Sequence, residues 1–219
     1  MARIARILAS GMPHHIIQRG NRRQIVFFTD NDKQAYLDLL VEFSQKYLFD
    51  VVAYCLMDNH LHLVIVPSDT EKLARGIGEV HRRYTRLINF REKWRGYLWQ
   101  GRFKSYVMDE SYLYRVIRYI ERNPVKAGIV KNAEDYRWSS ACAHVTGNKD
   151  SVLCNINYVD FSQWKEYLKD TEDEKNTKFF YYHENTGRPM GHESFVEKLE
   201  GLTGRKIHKT RPGPKPMSN

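Results

Sequence analysis

The sequence predicts an α+β fold, on three observations: the order of its hydrophobic runs, the change of period between them, and a composition able to fill a core. The 219 residues are 42% hydrophobic and 13% aromatic, ample for one folded domain with an appendage. Short runs rich in β-branched and aromatic residues alternate with stretches whose apolar residues recur at helical spacing. Their order is strand, helix, two strands, helix, strand and a further helix. The first six elements follow the β-α-β-β-α-β plan of a ferredoxin-like sandwich, an antiparallel sheet with helices packed on one face. A small C-terminal extension follows. The plan by itself implies no function.

Residues 14–20 read as the first strand, ended by Gly20-Asn21 and a basic loop holding Arg22 and Arg23. Asp30 or Asn31 can cap a helix over residues 32–47, with Tyr36, Leu37, Leu40, Val41 and Phe43 on its apolar face. A second strand over 49–56 and a third over 60–66 form a hairpin around Met57-Asp58-Asn59. Residues 67–70 end it and cap a helix over 71–90, whose stripe is Leu73, Ile77, Val80, Tyr84, Leu87 and Ile88. Arg75, Arg82, Arg83 and Arg86 fall outside that stripe. A loop over 96–101 leads to a fourth strand over 102–108. Asp109 or Ser111 then caps a helix that Pro124 stops at Asn123, because the residue before a proline avoids helical geometry. The domain runs over residues 1–145. The extension, 146–219, is read as partly helical (158–168 and 193–202), with a charged linker at 171–178 and a basic mobile tail from 205 to 219.

The chain carries a formal charge of +9, which favours a polyanionic partner. The excess is concentrated: residues 72–126 hold 14 Lys and Arg against 5 Asp and Glu. Tyr84, Trp94, Tyr97, Trp99, Phe103, Tyr106, Tyr112, Tyr114 and Tyr119 are interleaved with those charges. Cations for phosphates and flat rings for unstacked bases suit single-stranded nucleic acid. Cys55, Cys142 and Cys154 are too few and too scattered for a disulfide framework or a zinc pattern. With no secretory signal and no membrane-length apolar run, the expected compartment is the cytoplasm.

Chemistry concentrates on His60-Leu61-His62. In a strand, alternate residues share a face about 6.6 Å apart, so two imidazoles stand side by side while Leu61 turns to the core. Such a pair can ligate one divalent metal, clamp a phosphate, or simply pack. His14 and His15 point to opposite faces of the first strand, so at most one of them can join. In the helix after Asp109, Leu113, Val116, Ile117 and Ile120 form the core stripe. Tyr112, Tyr119 and Asn123 lie on one flank, Tyr114 and Glu121 on the other. Tyr119 and Asn123 are one helical turn, roughly 6 Å, apart, so a hydroxyl and an amide oxygen can face one metal-bound phosphate. The residue one turn beyond Tyr112 is Val116, which ligates nothing, so Tyr119 is the better nucleophile and Tyr112 a packing or stacking residue.

The His60-Leu61-His62 pair resembles the single-tyrosine HUH transposases. So do the segments Tyr119-Ile-Glu-Arg-Asn123-Pro124-Val-Lys-Ala-Gly128, Tyr97-Leu-Trp99-Gln-Gly-Arg102-Phe103 and Met12-Pro13-His14-His15-Ile-Ile-Gln-Arg19-Gly20-Asn21. The likeness is to their REP-associated tyrosine transposase branch. It covers about residues 1–145, and Thr186-Gly187-Arg188-Pro189-Met-Gly191 is similar to an extension found in some members. The resemblance implies a nuclease and strand transferase acting on single-stranded DNA at hairpin-associated sites. In it Tyr119 forms a 5′-phosphotyrosine link and releases a 3′-OH. His60 and His62 become metal ligands and Asn123 a third ligand or orienting group. The partner is single-stranded or hairpin DNA, and the protein is a monomer or homodimer. Expected DNA contacts are Arg19, Arg22, Arg23, Arg82, Arg83, Arg86, Trp99, Arg102, Lys104, Arg118 and Lys126. The cofactor is Mg²⁺ or Mn²⁺, with Mn²⁺ binding at least as well because imidazole is softer than the all-oxygen cage Mg²⁺ prefers. Two other readings fit the residues: a non-catalytic nucleic-acid-binding module, and a metal-free phosphoesterase with acid and base histidines. The second lacks the repeated histidine motif such chemistry uses.

Overall fold

The computed structural model describes residues 4–154, 159–169, 180, 182–183 and 186–208. Strands β1 (His14–Arg19), β2 (Phe49–Met57), β3 (His60–Pro67) and β4 (Lys104–Val107) form one sheet in the order β2-β3-β1-β4. Every neighbouring pair is antiparallel. The expected sandwich is therefore present, with β4 shorter than the pattern implied. Only four of its residues pair with β1, and Trp99 reaches the sheet separately through a bridge to Gly20.

Helix α1 (Asp30–Tyr47) starts under a capping box made by Thr29 and Asp32, so the cap is Thr29 and not the expected Asp30 or Asn31. The buried Asp32 carboxylate takes amide hydrogens from Phe28 and Thr29 and pairs with Arg91 at the end of α2 (Thr70–Arg91). That pair clamps the start of one helix to the end of the other. Between them Phe27, Tyr36, Tyr84 and Trp99 pack edge to face, an arrangement the ring quadrupoles favour. Leu87, expected in this stripe, is 41% exposed instead.

Alternation along β1 separates two faces. Gln18 lines a cavity with His81 and Arg82 of α2, whereas His15 meets Tyr119 of α3 (Glu110–Glu121). Helices α1 and α2 thus cover one face and α3 covers the other, which corrects the expectation of helices on one face only: the alternating side chains of β1 and β3 give both faces groups to cover. Asp109 caps α3 through the Tyr112 amide. The helix ends at Glu121, two residues before the expected stop, and the chain continues through Arg122 into a single turn, α4 (Asn123–Lys126), with Pro124 in its first turn. After β1 the chain doubles back in a 3-10 turn, Asn21–Arg23, with Arg22 and Arg23 at left-handed φ of 52° and 61°. Gly20 is required there, since a Cβ would lie 2.2 Å from the Gln24 carbonyl oxygen.

Both sheet edges are covered. Residues 138–140 pair with β2, and Met190 bonds Val107 and Asp109 at the β4 end. Covering an edge removes a template for unwanted strand pairing. Beyond these residues come α5 (Ala141–Thr146), α6 (Trp164–Lys169) and α7 (Glu193–Thr203). Helix α6 is shorter than the expected span, and the proposed linker 171–178 lies outside the described residues. The extension is not a loose appendage: Val152, Val159, Trp164, Leu168, Phe180 and Met190 belong to the main core. Nor does the tail begin at Arg205. The Arg205 guanidinium bonds the carbonyls of Ala5 and Arg6, and Ile207 is buried against Ile7, Val107 and Leu199. Residues 209–219 lie outside the described part.

Two buried histidines away from α3 carry a pH consequence. The Ala9 amide donates to His14 Nε2, and His14 Nδ1 donates to Met12, so the neutral ring is fully used. Burial holds His14 down at about 4 and His81 at about 3. Both stay neutral in the folded chain while the unfolded chain takes up protons below about 6.5. Stability is therefore whole above pH 6.5 and is lost as pH falls from 6.5 toward 4, by about 1.4 kcal/mol per pH unit per proton. Urea unfolding across that range will show the slope, and His81→Gln will flatten it by up to one proton; an unchanged slope contradicts this account.

Candidate active site

Strand β3 places His60 and His62 on the α3 face and Leu61, fully buried, on the other. The two imidazoles have centroids 5.1 Å apart and planes 82° apart. Register puts Ile17 opposite His62 and Arg19 opposite His60, so Arg19 stands on the same face beside the pair. Each ring is held at Nδ1. His60 Nδ1 lies 2.6 Å from Asn59 Oδ1, an acceptor, and His62 Nδ1 lies 2.9 Å from His15 Nε2. Burial, with Arg19 adding to it, pushes His60 down to about 4, and burial among His15, His60 and Arg19 holds His62 well below its ordinary value. Both are neutral at pH 7, the state a metal ligand needs.

Tyr119 faces this pair from α3. Its ring stands edge-on to His62 at 5.8 Å and to His15 at 6.2 Å between centroids. Lys126 Nζ lies 4.7 Å from its centroid, and Phe180 stacks on it at 4.4 Å. One turn on, Asn123 donates both amide hydrogens to the carbonyls of Tyr119 and Ile120. Those are carbonyls of the helix end, which lack partners within α3. The amide oxygen remains as the side chain's acceptor. Tyr112 packs against His192 and Arg115, in keeping with a packing or stacking residue.

A metal fits this donor set. Fixing Nδ1 on both rings leaves two Nε2 atoms as ligating positions, and Asn123 Oδ1 is a hard donor of the same helix turn as Tyr119. Among the described residues no group of three or more His, Cys, Asp or Glu could hold a metal.

Two features escaped the sequence. His15 joins the site, which alternation permitted without choosing it over His14. Glu121, assigned only to a flank, is wholly buried and accepts hydrogen bonds from Ser140 Oγ, His144 Nδ1 and Trp164 Nε1. Its partners lie 19 to 43 residues away, beyond any local pattern. This carboxylate ties the end of α3 to α5 and α6.

The expected DNA contacts divide by position. Arg19, Lys104 and Lys126 surround the histidine and tyrosine face, with Arg22 and Arg23 exposed at the turn beyond β1. Arg82, Arg86 and Arg102 line a cavity of about 720 Å³ on the opposite face, where Tyr97 is 87% exposed. Arg82 is also paired with Glu79, and Arg83 lies over the Phe43 ring. Two residues do not fit the expectation. Trp99 is buried, its indole nitrogen turned to the His81 carbonyl, because it completes the aromatic core. Arg118 is buried as well, bonded to the Tyr167 carbonyl and stacked on that ring.

Known proteins agree with this architecture. A family model described as "Transposase IS200 like" matches residues 9–123. The chain belongs to that family, the IS200-like transposases. It stands on their REP-associated tyrosine branch. A curated Haemophilus influenzae protein described as a REP-associated tyrosine transposase is 30% identical, over 53% of this chain and 78% of that protein. The solved structure of a REP-associated tyrosine transposase bound to a REP hairpin superposes with a TM-score of 0.57 at 22% identity, covering 74% of this chain and 96% of that one. At that identity the superposition speaks for the fold.

The Glu121 network yields a stability prediction. Glu121→Ala leaves the buried His144 and Trp164 donors without an acceptor, and Ser140 with only the Tyr54 carbonyl, and will cost roughly 3 kcal/mol in urea unfolding. Glu121→Gln, which keeps an acceptor, will cost less. Equal losses would show that the hydrogen bonds are not what matters.

Proposed function

We propose that this transposase is a metal-dependent endonuclease and strand transferase for single-stranded DNA, with Tyr119 as nucleophile. The observation that carries the reading is the approach of Tyr119 to His62 across the sheet face, with two neutral, oriented imidazoles beneath it. His60, His62 and Asn123 are the residues that would hold Mn²⁺ or Mg²⁺. When bound, the ion supplies charge neutralisation at a phosphate and stabilises a phenolate.

The chain's own residues account for the rest. Tyr119 Oη attacks phosphorus, forming a tyrosyl–phosphate ester as the bond from phosphorus to the 3′ oxygen breaks. The phenolic proton is lost and the departing 3′ oxygen is protonated, leaving a free 3′-OH and a 5′-phosphotyrosine. A phosphodiester is exchanged for another ester, so a 3′-OH can reverse the reaction on a new strand without an external energy source. A tyrosine hydroxyl ionises near 10, so Arg19 and Lys126 assist by placing positive charge near the phenolate and the phosphate. Asn123 fixes the helix end that carries the nucleophile. Hairpin DNA is the proposed substrate class, by analogy with the relative whose structure holds a REP hairpin. Arg86, Arg102 and Tyr97, on the opposite face, are proposed to hold DNA backbone and unstacked bases rather than to take part in chemistry.

End-labelled hairpin DNA with a single-stranded flank, incubated with Mn²⁺ and run on a denaturing gel, tests the chemistry. The wild type will form a covalent adduct, Tyr119→Phe will not, and Tyr112→Phe will. Binding without adduct or cleavage across several hairpins supports a non-catalytic binding module instead. Cleavage by His60→Ala in excess chelator overturns the metal assignment.

The DNA contacts have a separate readout. Arg86→Ala/Arg102→Ala will weaken hairpin binding at low salt and reduce the slope of log K against log[salt] by about 2. Arg118→Ala will leave that slope unchanged and lower the melting temperature.

A further inference from the structure

We infer that His15 is a positioning residue, an acceptor on β1 that fixes His62 in the tautomer able to bind a metal through Nε2. The inference rests on the metal-dependent reading above.

His15 is fully buried, and its Nε2 faces His62 Nδ1 at 2.9 Å with the two rings only 22° from parallel. A neutral imidazole carries one N–H and one lone pair, and His62 must be in that form to ligate. A single proton lies between the facing nitrogens, which leaves two arrangements. If His15 Nε2–H donates, His62 carries its proton on Nε2 and presents no lone pair there. If His62 Nδ1–H donates, Nε2 is free to ligate and His15 Nε2 is the acceptor. Ligation through Nε2 selects the second, the relation in which a ligand histidine passes its other N–H to an outer partner.

Packing alone does not explain a histidine at this position. His15 Nδ1 is buried without a hydrogen-bond partner, a state that an apolar side chain of similar size avoids. What His15 offers in return is the nitrogen turned to His62. His60 has a parallel acceptor in Asn59 Oδ1, so both proposed ligands are oriented by neutral groups. Neutral acceptors leave the ion's charge undiminished for a phosphate, which a carboxylate at the same place would offset in part.

The test uses full-length protein, with Mn²⁺ binding followed by the electron paramagnetic resonance signal of the free ion. His15→Leu will remain folded, with a melting temperature equal to or above wild type, and will bind Mn²⁺ about 10- to 100-fold more weakly. His15→Gln, whose amide oxygen can accept from Nδ1–H, will recover most of the loss. In Zn²⁺-loaded wild type, nitrogen-15 NMR will find the His62 proton on Nδ1 and the His15 proton on Nδ1. Wild-type affinity in His15→Leu, a Gln variant as weak as Leu, or a His62 ligated through Nδ1 overturns the inference. If His60→Ala binds Mn²⁺ as wild type does, the metal reading itself fails, an outcome distinct from unchanged binding in the His15 variants alone.

Discussion

Hydrogen bonds between β1 and β3 set Ile17 opposite His62 and Arg19 opposite His60, and that register assigns the polar groups to their face of the sheet. Side chains alternate, so a slip of one residue would turn His60 and His62 toward α1 and α2 and bring Leu61 and Leu63 under Tyr119. Register is held because the opposite face is heavily apolar: Ile16, Leu61, Leu63 and Ile65 are all fully buried. The cost of exposing those side chains, about 1.5–3 kcal/mol each, locks the strands. The proposed chemistry therefore depends on the hydrophobic side of the sheet as much as on the polar one.

The second half of the site depends on how α3 is held. Leu113, Val116, Ile117 and Ile120 bury one stripe, which sets the rotation of the helix and puts Tyr119 over the histidines. The buried Glu121 network then anchors the C-terminal end to α5 and α6, and Asn123 satisfies two carbonyls of that same end. The proposed nucleophile must be held close to its productive geometry for proximity to count, and these three restraints act within six residues of Tyr119. The extension contributes through Trp164 and Phe180, so residues past 146 help to shape the tyrosine's surroundings.

Much of this was legible from local pattern. Strand and helix order, the His60/His62 face and the Tyr119/Asn123 flank all follow from periods of 2 and 3.6 residues. What local pattern does not encode is burial at the flanks. Glu121 reads as a polar flank residue until Ser140, His144 and Trp164 converge on it from distant sequence. Trp99 and Arg118 read as nucleic-acid contacts because a basic, aromatic window looks alike whether its members face solvent or core. The structure resolves that ambiguity: Tyr97 and Arg102 face out, Trp99 fills the α1/α2 layer, and Arg118 docks on Tyr167. His15 was half legible, since alternation limits the choice to one of two adjacent histidines and only cross-strand packing makes it.

In the proposed mechanism the helix tyrosine and the strand histidines act as one catalytic centre. Protein trapped with hairpin DNA and Mn²⁺, digested and examined by mass spectrometry for the peptide bearing a 5′-phosphonucleotide, tests it most directly. The modification will fall on Tyr119 and will be absent when His62 is replaced by alanine. A nucleotide on another residue, or an unchanged yield of Tyr119 adduct in His62→Ala, would contradict it.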